Sequence, residues 1–216
     1  MDKITFRQLI TLLALALIPF SVVAQDNGAT RILDAAVAKI KADAGVQMNF
    51  TVTMHDATGE EIYDDKGVLK MDGEKYALIT DQMKLWCDGT TQWSYISQNN
   101  EIYISEPNAD DARAFSPVHI MQLYKEGFRC EQYMAGTNDK VNAVKMTAVT
   151  RDNEIRKAII TINKQSGLPV MLKVSYENGS SADIKVDSYI SKCKFAVKEF
   201  RCRTKEYRGA EIVDMR

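Results

Sequence analysis

Trp86-Cys87-Asp88-Gly89-Thr90-Thr91-Gln92-Trp93-Ser94-Tyr95, followed by Asn99-Asn100-Glu101-Ile102-Tyr103-Ile104, decides the fold of this chain. Asp-Gly and Asn-Asn are turn dipeptides, because a type I′ turn needs φ > 0 at both central positions and Gly and Asn tolerate that best. Two-residue loops at 88–89 and 99–100 predict three antiparallel strands, with Trp86 opposite Thr91, Tyr95 opposite Ile104 and Ser97 opposite Ile102. Side chains alternate faces along a strand, so Trp86, Trp93, Tyr95, Ile102 and Ile104 share one face. Both tryptophans of the protein sit on that surface. Something apolar must cover it: a helix, a second sheet or a ligand.

Working outward, the apolar period is helical at first. From Thr30 to Asp43, Ile32, Leu33, Ala36, Val37 and Ile40 fall at helical spacing, and Gly45 is placed to stop the helix. From Val46 the period becomes two, with Met48, Phe50, Val52 and Met54 alternating with polar neighbours. Further strands are expected near 60–71, 75–80, 83–87, 91–97 and 101–105. Ser116-Pro117 then reads as a cap and first helical residue, with Gly127 as a stop, giving a short helix over 117–126. Strands resume near 128–134, 141–149, 155–163, 168–177, 181–190 and 194–203. In the late hairpin a three-residue loop over 178–180 pairs Val174 with Ile184 and keeps the apolar residues on one face.

The first residues read as a secretory signal. Lys3 and Arg7 precede an apolar run from Leu9 to Phe20, and Val22-x-Ala24 places small residues before Gln25, so residues 1–24 are expected to be cleaved. The remainder, 25–216, is one domain's worth of chain for an exported, periplasmic protein. Export leaves 26 basic and 28 acidic residues, interspersed, which points away from nucleic acid. Cys87, Cys130, Cys193 and Cys202 all lie in the exported part, and an even number in an oxidising compartment favours disulfides. Cys193 with Cys202, leaving Cys87 with Cys130, is the first expectation among three pairings. A zinc site has no support, since there is no Cys-x-x-Cys and the only histidines, His55 and His119, are far apart.

About eleven antiparallel strands and two helices leave a sheet with more apolar surface than the helices can cover. It must either close tightly or stay partly open around an apolar cavity. The methionines at 48, 54, 71, 83, 146 and 171 suit an adaptable apolar lining, and equally a packed core.

The order of these features resembles the periplasmic outer-membrane lipoprotein carrier family, LolA. The features are the amphipathic helix, Gly67-x-Leu69, Tyr76, the Asp88-Gly89 hairpin with Trp93-x-Tyr95, the Glu101-Ile102 strand, the Ser-Pro-led helix, and the ending Gly209-x-x-Ile212-Val213-Asp214-x-Arg216. The resemblance implies a mostly β single domain: an unclosed antiparallel barrel of eleven strands with a helical lid. It also implies a cavity for the acyl chains of lipoproteins, passed from an inner-membrane ABC transporter to an outer-membrane acceptor. Two stretches depart from the family pattern. Lys70 to Lys75 lacks the family's Arg-Pro, and Cys202 to Tyr207 replaces Phe-x-Phe-x-Pro-Pro, as in a divergent member.

The expected function is therefore a monomeric carrier that holds acylated cargo by burial rather than bond chemistry. The residues expected to line its cavity are Phe50, Val52, Leu69, Tyr76, Leu78, Trp86, Trp93, Tyr95, Ile102, Ile104, Ile160, Ile162, Leu172, Val174 and Ile184. The alternative is a periplasmic sensor or scaffold of the same fold with a filled interior. Catalysis has no motif behind it, neither Gly-x-Ser-x-Gly nor a phosphate-cradling Gly-rich loop, and no cofactor is expected. Asp64-Asp65 and Asp110-Asp111 read as turn or strand-end carboxylates.

Overall fold

The computed structural model describes residues 27–107 and 117–216. The expected signal segment, Ser116 and Asp110-Asp111 lie outside them. Helix α1, Asn27–Ala42, starts three residues earlier than its apolar period suggested, and Leu33, Ala36, Val37 and Ile40 are buried along one side. Lys39 and Lys41 in its last turn complement the negative end of the helix dipole. Gly45 then turns the chain with φ +59°, and a Cβ there would sit 1.9 Å from the carbonyl oxygen of Cys193. Only glycine fits both the left-handed backbone and that approach, which the Cys193 N–H to Gly45 oxygen bond of 2.8 Å holds in place.

Eleven strands follow in antiparallel order: β1 Val46–His55, β2 Glu61–Asp72, β3 Lys75–Ile79, β4 Met83–Cys87, β5 Gln92–Ile96, β6 Glu101–Ser105, β7 Phe128–Gln132, β8 Val141–Ala148, β9 Ile155–Asn163, β10 Pro169–Tyr176 and β11 Ser181–Ile190. A twelfth, β12 Glu211–Asp214, lies parallel to β6. They form one sheet in the order β12-β6-β5-β4-β3-β2-β1-β11-β10-β9-β8-β7, so among the described residues β12 and β7 are its two ends and the sheet is an unclosed barrel. Two expectations are corrected. Residues 194–203 are not a strand but an irregular segment with a 3₁₀ turn at Val197–Phe200, and the last strand comes later, at β12.

The short helix is likewise not one ten-residue element. It is α2, Pro117–Ile120, followed by a 3₁₀ turn at Leu123–Lys125. Threefold winding there puts Ile120 and Leu123 on the same buried side, and Gly127 ends the segment at φ +88°.

Three hairpins share one kind of departure. Trp86 pairs with Trp93 rather than Thr91, Tyr95 with Ile102 rather than Ile104, and Val174 with Ala182 rather than Ile184. Each shift is two residues, so every side chain keeps its expected face. The cause is local in two of the three. The Asp88 carboxylate accepts from the backbone N–H groups of Thr90 and Thr91 at 3.0 Å each, which builds a four-residue loop. Asn178 accepts from the Ser180 N–H and hydroxyl at 3.0 and 2.6 Å, with Gly179 at φ +86°, so the three-residue loop is 177–179.

Candidate functional site: an apolar inner face

Register divides the sheet into two faces with different covers. On the inner face, Val52, Ile184, Leu172, Ile160 and Val144 lie side by side across β1, β11, β10, β9 and β8. A second row runs through Met54, Ala182, Val174, Ala158 and Met146. Toward the other edge, Leu69, Leu78 and Leu85 continue this face across β2, β3 and β4. Ten expected cavity residues belong to it: Phe50, Val52, Leu69, Tyr76, Leu78, Ile160, Ile162, Leu172, Val174 and Ile184.

The other five do not. Trp86 stands opposite Ala77, one position out of phase with Leu85 and Leu78, so it points to the outer face. Trp93 and Ile104 follow it by pairing, as do Tyr95 and Ile102. The five share a surface, but not the surface of the other ten. Trp86, Trp93 and Tyr95 are covered by the C-terminal segment after β11, which we call the strap. Phe200 is 1 % exposed and packs with Ala77 and Trp86. Tyr207 sits 4.3 Å from the Tyr95 ring and 6.0 Å from that of Trp86. Burial pushes the Tyr207 hydroxyl up to about 12, with nearby Cys202 and Glu206 adding to it. Lys70 with Glu199, at 2.7 Å, and Arg201 with Asp88, at 2.7 Å, pin the strap to β2 and to the first loop.

The inner face is covered unevenly. Helix α1 packs on β7 and β8 and closes one cluster over Ile160, Ile162, Leu172 and Val174. A second cluster holds Val46, Met48, Leu69, Leu78 and Leu85. Between them Phe50, Val52, Met54, Ile184 and Val186 are only half-buried. Gly67 lies opposite Phe50, where a Cβ would meet its ring at 2.2 Å, so the missing side chain is what lets that ring lie across β2. Met54 and Tyr176 floor an open cleft of about 430 Å³ at one end of the strands, rimmed by Glu154, Glu177, Asn178 and Ser180. That volume is in the range of small-molecule sites. Burial, then the charge of Glu154, raises the Tyr176 hydroxyl.

One carboxylate faces inward. Asp65 stands opposite Val52, is 9 % exposed, and accepts from the Tyr63 hydroxyl at 2.8 Å, the Lys66 N–H at 2.7 Å and the Asp81 N–H at 3.1 Å. Burial alone would raise its pKa, but these bonds outweigh it and hold the carboxyl below its ordinary value. It fastens the β3–β4 turn to β2. Tyr76 donates to Gln92 Oε1 at 2.6 Å, so the polar atoms of that wall are also paired.

Gly67, Met54, Tyr63, Asp65 and Tyr176 were not expected site residues. An acidic residue at an inward position of an alternating strand, as Asp65 is, was the available signal.

Cys87, Cys130, Cys193 and Cys202 stand as free cysteines in the structure. Cys130 is buried beneath α1, Cys87 is buried on the inner side of β4, and Cys193 and Cys202 are half-buried along the strap. Among the described residues no group of three His, Cys, Asp or Glu side chains could hold a metal ion, and no helix is long and apolar enough to cross a membrane.

Residues 20–178 match the family described as outer membrane lipoprotein carrier protein LolA. The chain belongs to the LolA family. The match stops before β11, so the strap lies beyond it. No curated protein matches the chain. An uncharacterised conserved protein of Thermus thermophilus shares its fold, with 13 % identity, a TM-score of 0.55, and coverage of 87 % of this chain and 99 % of that one. A LolA superfamily protein of Nitrosomonas europaea is similar at 9 % identity and TM-score 0.44, covering 82 % of this chain and 98 % of that one. MucB in the Pseudomonas aeruginosa MucA/MucB complex is similar at 12 % identity and TM-score 0.40, covering 82 % and 62 %.

Proposed function

We propose that this LolA-family chain is a periplasmic carrier that holds the acyl chains of lipoproteins against the inner face of its sheet. The observation that carries this reading is the half-buried strip of Phe50, Val52, Met54 and Ile184, which leads into the open cleft beside Tyr176. Each methylene moved from water to an apolar wall contributes about 0.8 kcal/mol, so ten of them supply roughly 8 kcal/mol, the free energy of a micromolar complex. No bond chemistry is required. In this reading residues 1–24 are the cleaved export signal, and an inner-membrane transporter and an outer-membrane acceptor are the partners.

Two substitutions test it together. Phe50→Asp puts a carboxylate on the inner strip and should weaken binding of a fluorescent fatty acid at least tenfold, with a small change in melting temperature. Trp93→Asp puts the same charge under the strap, where it lacks water or a partner. It should lower the melting temperature and leave the residual folded protein able to bind. Native mass spectrometry of the exported protein should find co-purified lipid. Unchanged binding in Phe50→Asp would refute the carrier reading and favour a filled scaffold.

A further inference from the structure

The strap has a second, outward side. Residues 191–208 contain seven basic residues, Lys192, Lys194, Lys198, Arg201, Arg203, Lys205 and Arg208, against two acidic ones, Glu199 and Glu206, in a chain whose total charge is close to zero. Both acids are engaged, Glu199 with Lys70 and Glu206 with Arg203. Arg201 is taken by Asp88. Lys192, Lys194, Lys198, Lys205 and Arg208 are exposed and enter no ion pair among the described residues. The aromatic residues Phe195, Phe200 and Tyr207 alternate with them but point into the sheet. What remains on the outward side is cationic, together with Val197, which is 56 % exposed.

We propose that the strap docks this protein on an anionic phospholipid surface. The proposal concerns the outer face and does not depend on what the inner face holds. The patch suits a lipid surface better than an acidic protein. Protein interfaces take their binding energy from a few well-packed aromatic or arginine anchors. Here every strap aromatic is already used inward, and the charges are lysines and one arginine strung along an irregular segment. A plane of lipid phosphates needs no matched geometry, only a local excess of cations, and the exposed Val197 between Lys194 and Lys198 can enter the headgroup layer. The run of basic residues is an electrostatic footprint laid over a segment whose aromatic side is structural.

The test is flotation of the full exported protein with vesicles of phosphatidylcholine alone and with added phosphatidylglycerol. Binding should need phosphatidylglycerol and should vanish at 0.5 M salt, where the screening length shrinks to a few ångströms. Each basic side chain at such a surface adds roughly a factor of five to partitioning, so Lys192→Gln, Lys194→Gln, Lys198→Gln and Lys205→Gln combined should lower it far more than tenfold. The melting temperature should be unchanged, since none of the four packs in a core. A control carries Lys140→Gln, Lys157→Gln and Lys164→Gln, outside the strap, and should bind like the wild type. Phe50→Asp, which impairs acyl binding, should float normally, which separates failure of this proposal from failure of the carrier reading. Equal binding to neutral vesicles, or full binding by the strap variant, would overturn it. So would no vesicle binding alongside capture of an acidic protein.

Discussion

Phe200→Ala tests the two-faced sheet most directly. Phe200 is 1 % exposed, 114 residues beyond Trp86 of the hairpin it covers, and its ring meets Phe195 edge-on with centroids 5.5 Å apart. Beneath it are Ala77 and Trp86. Truncating a buried phenylalanine removes its transfer free energy and leaves a cavity, together about 3–5 kcal/mol. Against a total stability of about 5–15 kcal/mol that is a large share. With a urea slope of about 2 kcal/mol per molar, the unfolding midpoint should fall by roughly 2 M. The same variant carries a second readout, because both tryptophans lie on the face the strap covers. Their emission should shift to the red and become more quenchable by acrylamide while the protein is still folded. A midpoint shift below about 0.5 M with unchanged emission would mean that the strap is not the cover of this face.

The cysteines and the inward carboxylate yield two further expectations. Alkylation of the folded protein should label half-exposed Cys193 first, while Cys202, whose thiol burial pushes up to about 11, and buried Cys87 and Cys130 react only on unfolding. Mass spectrometry after timed labelling checks the order, and early labelling of Cys130 would contradict its place beneath α1. For Asp65, the folded carboxyl lies below its ordinary 3.8, so its contribution is complete above that value and is lost as pH falls through the lower folded value. Asp65→Asn should therefore reduce stability at pH 7 and flatten the loss below about pH 4. Urea titrations across that range would show it, and an acid limb as steep as the wild type's would refute it.

How much of this was legible follows from what hydrophobic pattern specifies and what it does not. Alternation sets the parity of a strand, and parity held in every hairpin: Trp86, Trp93 and Tyr95 do share a face. Pattern does not set register within that parity, because a slip of two residues keeps every side chain on its side. There the decision passes to turn chemistry, and the carboxylate of Asp88 and the amide of Asn178 made it by capturing backbone N–H groups. The larger departure was to treat all apolar positions as one surface. Runs such as Ala77-Leu78 and Leu85-Trp86-Cys87 have no alternation and are buried throughout, the mark of strands covered on both sides. The outer cover was missed because its aromatics, Phe195, Phe200 and Tyr207, are spread through a segment whose apparent alternation reads as a strand. Nothing local to residues 194–203 reveals that they cross the sheet instead of extending it.

The two covers also explain why one strip of the inner face stays open. Helix α1 protects the inner side of β7 to β10, and the strap protects the outer side of β3 to β5. Between them, β1, β2 and β11 carry a polar outer side, with Asn49 bonded to Ser188 at 2.6 Å, Thr51 to Asp187 at 2.8 Å and Thr53 to Asp64 at 3.1 Å. Such side-chain ladders stabilise strand pairs without any apolar partner layer. The extra residue Asp187, a bulge between the Met48–Tyr189 and Phe50–Val186 pairings, also bends β11 and turns Tyr189 inward, where it bonds Asp43 at the end of α1 at 2.9 Å. The central strands are thus held from their wet side and from both flanks. Their inner side chains Phe50, Val52 and Met54 stay only half-buried, which is the strip the carrier proposal depends on.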